Sequence, residues 1–168
     1  VGAYAKYEGD KFHVNINANG MSVTYSVPRL VTGSNVYSVG HGGLSSTFQI
    51  ILQSLNDIGI DTDIDLAGIS RLDCFRNIST ALPFIDYAPI FNLAHAKRQQ
   101  RKEYGTTYLW HNKQQELCVY DKRHELVETK KDIPIGMPDN ITRIEQRWMR
   151  SGKVRSSLPV GKVADLKD

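Results

Sequence analysis

The chain has 168 residues, 40% of them hydrophobic, a net charge of +3 and a pI of about 8.8. This suits one globular domain with a proper core and excludes a disordered chain. No apolar run approaches the roughly 18 residues of a membrane helix, and the mild basic balance permits an anionic partner without requiring one.

The start carries no signal-peptide pattern, and a chain opening on Val1 rather than Met is expected to be an excised domain or a trimmed one. Cys74 and Cys118 sit in apolar, strand-like contexts and read as buried thiols of a reducing compartment. Residues 3–8 and 11–17 alternate apolar and polar around Gly9-Asp10, which predicts a hairpin. A third strand, Met21–Val27, follows Asn19-Gly20 and should end at Pro28. Residues 34–39 suggest a short strand or extended turn, with Gly40, Gly42 and Gly43 as a flexible joint. The clearest helix is capped by Ser45 or Ser46. It carries Phe48, Ile51, Leu52, Leu55 and Ile58 at helical spacing and stops at Gly59. Asp61, Asp63 and Asp65 lack the glycine and bidentate glutamate of a calcium loop and read as a solvated linker.

Residues 69–78 predict a strand with Arg71, Asp73 and Phe75 on one side and Leu72 and Cys74 on the other. A second helix is expected over about 86–100, with a basic end continuing through Arg101 and Lys102. Strand 105–110, a polar turn around 111–115 and a return strand 116–122 form a hairpin. After a polar loop, 141–149 is another strand, with Arg143, Glu145 and Arg147 on one face. The tail, 150–168, is charged and expected to be loosely held.

This order predicts an α+β fold: helices on one face of a mainly antiparallel sheet, the other face open. That open face would collect Arg71, Asp73, Tyr120, Lys122, Arg143, Glu145 and Arg147, more charge than a core-facing sheet surface normally holds. The focus is Leu117–Glu125. Tyr120 with Lys122 two residues on and Glu125 beyond is a setting for a tyrosine nucleophile, the lysine stabilising a phenolate or the phosphate it attacks. The plain alternative is a strand-end tyrosine beside a solvated charge cluster. The arginines have one too, as ion-pair partners of Asp73 or Glu145.

Three stretches in this order resemble one family: Ile69-Ser70-Arg71-Leu72-Asp73, Val119-Tyr120-Asp121-Lys122-Arg123-His124-Glu125 and Thr142-Arg143-Ile144-Glu145. They look like the rolling-circle replication initiators, namely the gene II endonucleases of filamentous phages and the initiators of staphylococcal plasmids. The stretch from Pro28 to Asp73, with Asn35-Val36-Tyr37, is similar to the phage group. The resemblance spans roughly residues 21–150. It implies a nicking domain over 1–150 with an open-faced sheet, and a tail, 151–168, leading to a further region.

The implied activity is metal-dependent nicking of one origin strand, joining a tyrosine to the 5′ phosphate and freeing a 3′ hydroxyl. By position, Tyr120 would be the nucleophile and Lys122 its helper. Asp73, Glu145 and Glu125 would be the metal carboxylates, and Arg71, Arg143 and Arg147 the DNA contacts. Implied partners are single-stranded or supercoiled origin DNA and a host helicase, in the cytoplasm of a bacterial host. The chain departs from related nicking enzymes in lacking a His-apolar-His strand, since His13, His41, His95, His111 and His124 are scattered. Carboxylates suit Mg²⁺ or Mn²⁺. The competing reading is a non-catalytic, RRM-like nucleic-acid-binding sheet in which Tyr108, Trp110 and Tyr120 stack on bases, although no RNP-type motif is present. A third is a structural or regulatory α+β domain with a surface charge network.

Overall fold

The alternation of Phe12, Val14 and Ile16 with His13, Asn15 and Asn17 turns one side of a strand toward apolar partners and leaves the other to solvent. The computed structural model describes residues 5–9 and 12–166. The expected hairpin residues 3, 4, 10 and 11 lie outside that set. The chain divides into two units, residues 1–64 and 65–166.

In the first unit, β1 (Ala5–Glu8), β2 (Phe12–Asn17) and β3 (Gly20–Tyr25) form an antiparallel sheet in that order. Gly20, at φ 134°, supplies the turn conformation that a side chain would resist. Helix α1 (Val27–Thr32) follows, where the sequence suggested only a strand end. Pro28 lies in its first turn, where the missing N–H has no intrahelical role. Residues 34–39 form bends and no strand. Helix α2 spans His41–Asp57, starting before the expected serine caps because the glycines join its first turn. Phe12, Val14, Leu30, Ile51 and Leu55 are the buried core of this unit.

The second unit is built on five antiparallel strands: β4 (Leu72–Ser79), β5 (Gln100–Tyr104), β6 (Thr107–His111), β7 (Gln115–Asp121) and β8 (Ile141–Trp148). Their order is β4-β8-β7-β6-β5. The last strand thus inserts between the first and the β6–β7 hairpin, which brings all three motif-bearing strands side by side. The α+β class is as expected, with two antiparallel sheets.

Between β4 and β5, a 3₁₀ turn (Phe84–Tyr87) and α3 (Ala88–Leu93) replace most of the long helix expected over 86–100. Phe84 packs with Tyr108, Trp110 and Val119, flanked by Phe91, Ala96 and Leu117. The indole of Trp110 donates to the Ala94 carbonyl at 3.1 Å. Tyr108 and Trp110, the base-stacking candidates of the competing reading, are therefore core residues at 2% and 3% exposure. Cys118 is buried as expected, whereas Cys74 is exposed on the edge strand β4.

The tail is not loose. Helix α5 (Ser151–Ser157) buries Val154 completely, and the Ile69 and Val163 amides pair with Gly161 and Ala67 at 3.0 Å each. Among the described residues no helix is long and apolar enough to cross a membrane.

Candidate active site on the five-stranded sheet

Register decides which side chains meet. Across β4, β8 and β7, Asp73 faces Arg147 and Arg147 faces Glu116. Phe75 faces Glu145, which faces Cys118, and Asn77 faces Arg143, which faces Tyr120. Side chains alternate along each strand, so these three rows lie on one face, opposite the face covered by Phe84 and α3. Asp73, Tyr120, Arg143, Glu145 and Arg147 therefore share a surface, as their parity predicted.

The centre of that surface is less open than expected. Tyr120 is 8% exposed and Arg143 2%. The Tyr120 hydroxyl donates to Glu145 Oε2 at 3.1 Å. Burial pushes its phenol well above the usual tyrosine range, against the opposing pull of Arg143; the Glu145 and Glu125 carboxylates push it further up. The phenol therefore needs an acceptor for its proton to become a nucleophile, and Glu145 is already hydrogen-bonded to it.

Arg143 is held by two side chains that were not expected at the site. Its Nε donates to Asn77 Oδ1 at 2.8 Å, and its guanidinium lies 3.9 Å over the Phe75 ring. Arg147 bridges two acids, donating from Nε to Glu145 Oε1 at 2.9 Å and from Nη1 to Glu116 Oε2 at 3.1 Å. Burial works against its charge, but the two carboxylates outweigh burial and hold the guanidinium above its usual range. Phe75 sits two residues and Asn77 four from Asp73, and Glu116 four from Tyr120, on the same strands, and that even spacing was the signal available in the sequence.

Two expected residues depart from the sheet. Asp121 caps a helix, its Oδ1 accepting from the His124 amide at 3.0 Å, so β7 ends and α4 (Lys122–Glu128) begins at once. Lys122 is consequently the first helical residue and not a strand neighbour of Tyr120. Its side chain is 0% exposed and its ammonium pairs with Glu125 Oε2. Burial lowers the Lys122 pKa, the pairing with Glu125 resisting. Glu125 pairs through its other oxygen with Lys131 at 3.2 Å. Burial raises its carboxyl, and the two lysines more than reverse that, leaving it below the usual glutamate range. Arg71 precedes β4 and grips both Asp73 oxygens, at 2.9 and 2.6 Å.

Among the described residues, no group of three His, Cys, Asp or Glu side chains is placed to hold a metal ion. Mg²⁺, however, is commonly held by one or two carboxylates together with substrate phosphate. Asp73 and Glu145 are oxygen donors on neighbouring strands of one face, and an ion there would have to displace Arg71 from Asp73 and share Glu145 with Arg147 and Tyr120. Glu125 lies in α4 and not on a strand of that face, its oxygens paired with Lys122 and Lys131.

No curated protein and no solved structure matches the chain. Residues 8–153 match the model of one family, described as the N-terminal part of the replication-associated protein G2P. That span is most of the 168 residues, and the chain belongs to this family of phage replication-associated proteins.

Proposed function

We propose that the chain is a replication initiator that nicks one strand of DNA through Tyr120. The observation that carries this reading is the contact between the buried Tyr120 hydroxyl and Glu145, with Arg143 beside the same ring in the register. A phenol with a raised pKa is a poor nucleophile unless a base removes its proton in the same step. Glu145 Oε2 takes that proton as the Tyr120 oxygen attacks phosphorus. The new bond is Oη–P, and the bond that breaks is P–O3′. The departing 3′ oxygen takes a proton from solvent, which leaves a 5′-phosphotyrosyl link and a free 3′ hydroxyl.

Arg143 is fixed by Asn77 and Phe75, so it lies ready to meet negative charge developing on the phosphate without reorganising. Arg147 holds Glu145 in place from the opposite oxygen. Lys122 contributes positive charge from a fixed position in α4. Arg71 and Arg147, at the outer row, suit flanking phosphates. A divalent ion held by Asp73 and Glu145 would neutralise phosphate charge during attack. The partner is origin DNA in the cytoplasm of a bacterial host. The non-catalytic, RRM-like reading is less well supported, because Tyr108 and Trp110 lie in the core.

The test is to incubate the protein with a panel of single-stranded phage-origin oligonucleotides and Mn²⁺, then run denaturing gels. A protein–DNA band that survives denaturant is expected. Binding without any such band across the panel would leave the chain a binding protein and end the nicking proposal.

A further inference from the structure

β5 is an unusual strand. All five of its residues, Gln100-Arg101-Lys102-Glu103-Tyr104, are exposed, and it forms one edge of the sheet. Lys97 and Arg98 are exposed just before it. The sequence shows no apolar alternation here, so burial does not account for its composition.

Its two sides are used differently. Arg101 and Glu103 pair with Trp110 and Tyr108, on the helix-covered face. Both serve the fold there: Arg101 donates to the Asn92 carbonyl at 2.7 Å, and Glu103 acts on the buried Tyr108 hydroxyl. Lys102 and Tyr104 pair with Leu109 and Thr107, on the face that carries Tyr120. Tyr104 is 57% exposed, and Lys102 makes no ion pair among the described residues. One row of the register runs Tyr104, Thr107, Tyr120, Arg143, Asn77 from this edge across the sheet. Tyr104 is two strand spacings from Tyr120, about 10 Å.

We propose that β5 is a track for the single-stranded DNA flanking the cleaved phosphate, with Tyr104 stacking on a base and Lys102 contacting the backbone. An aromatic face beside a cation is the pairing that holds single strands without sequence preference, because every base offers a π-face and every link a charge. Lys97 and Arg98 extend the positive edge. The competing account of Lys102 is that a charged edge strand deters edge-to-edge association. That account gives no role to Tyr104 and predicts an effect on aggregation, not on DNA affinity.

The proposal rests on the nicking reading for its substrate and is tested separately from it. Binding is measured by fluorescence anisotropy in a Tyr120→Phe background without divalent ion, so that no cleavage intervenes. The probes are a labelled oligothymidylate, a mixed-sequence single strand and the corresponding duplex. Tyr104→Ala should weaken single-strand binding by about 5- to 150-fold, while Tyr104→Trp retains it. Lys102→Gln should flatten the slope of log affinity against log salt by about 0.7. Duplex binding should change little in the Tyr104 variants. Both side chains are exposed, and circular dichroism checks that each variant is folded.

Unchanged single-strand affinity in Tyr104→Ala, equal losses in Tyr104→Ala and Tyr104→Trp, or no single-strand binding by the parent overturns the track. If the track variants behave as expected but no covalent adduct forms with Tyr120 intact, the nicking reading falls and the track stands.

Discussion

Replacing Lys122 by Met isolates the buried ion pair at the start of α4. Methionine fills much of the volume of the lysine stem, so the change is chiefly the loss of one buried charge. Breaking a fully buried pair by removing one partner costs about 3–5 kcal/mol. Lys122 is fully buried, but Glu125 is 28% exposed and keeps Lys131 at 3.2 Å. Glu125 is therefore not stranded, and the expected loss falls to about 2 kcal/mol. Adding Glu125→Gln should cost less in the Lys122→Met background than in the parent, a coupling of about 1–2 kcal/mol.

The pH dependence follows from the signs. The folded Glu125 pKa is lowered, so its contribution is complete above the unfolded glutamate value of about 4.3 and is lost as pH falls through the folded value. The folded Lys122 pKa is also lowered, so stability rises with pH between that value and the unfolded lysine value of about 10.4. The gap between parent and Lys122→Met should thus shrink in acid and widen as pH rises toward the unfolded lysine value. Urea unfolding followed by tryptophan fluorescence measures it, since Trp110 and Trp148 both lie in the five-stranded unit. Single and double changes that add within about 0.3 kcal/mol would refute the pairing and return Lys122 to the role of a free catalytic cation.

Glu145→Gln keeps shape but removes the proton acceptor of Tyr120. Single-turnover nicking should fall by about 10²- to 10⁴-fold while DNA binding in filter assays persists. Asp73→Asn should raise the Mg²⁺ or Mn²⁺ concentration needed for half-maximal nicking, and a metal titration identical to the parent would remove Asp73 from the ion's ligands. Tyr108→Ala should cost about 3–5 kcal/mol in the same urea assay, because the ring is buried against Phe84 and Phe91.

Parity made the face around Tyr120 legible. Arg71-Leu72-Asp73, Cys118-Val119-Tyr120 and Arg143-Ile144-Glu145 each separate polar and apolar residues by one position, and the strands pair as that alternation requires. Several elements were misread for identifiable reasons. Pro28 ends strands and also starts helices, and the sequence alone did not decide between them. Strand β5 shows no alternation because both sides of an exposed edge meet water, so Arg101 and Lys102 read as the continuation of a helix's basic end. Lys122 looked like a strand residue until Asp121 was seen to cap α4. The burial of Tyr120 was hidden as well, because the alternation fixes which face a residue takes and not what covers that face.

Nicking through Tyr120 requires that this residue form the bond to DNA. Mass spectrometry of proteolysed adduct tests this in the parent, in Tyr120→Phe and in Tyr104→Phe, after incubation with an intact origin oligonucleotide that the parent nicks. A nucleotide-modified peptide containing Tyr120 is expected in the parent and in Tyr104→Phe, and none in Tyr120→Phe, which still binds the oligonucleotide. An adduct that persists in Tyr120→Phe, or one mapped to any other residue in the parent, would contradict nicking through Tyr120.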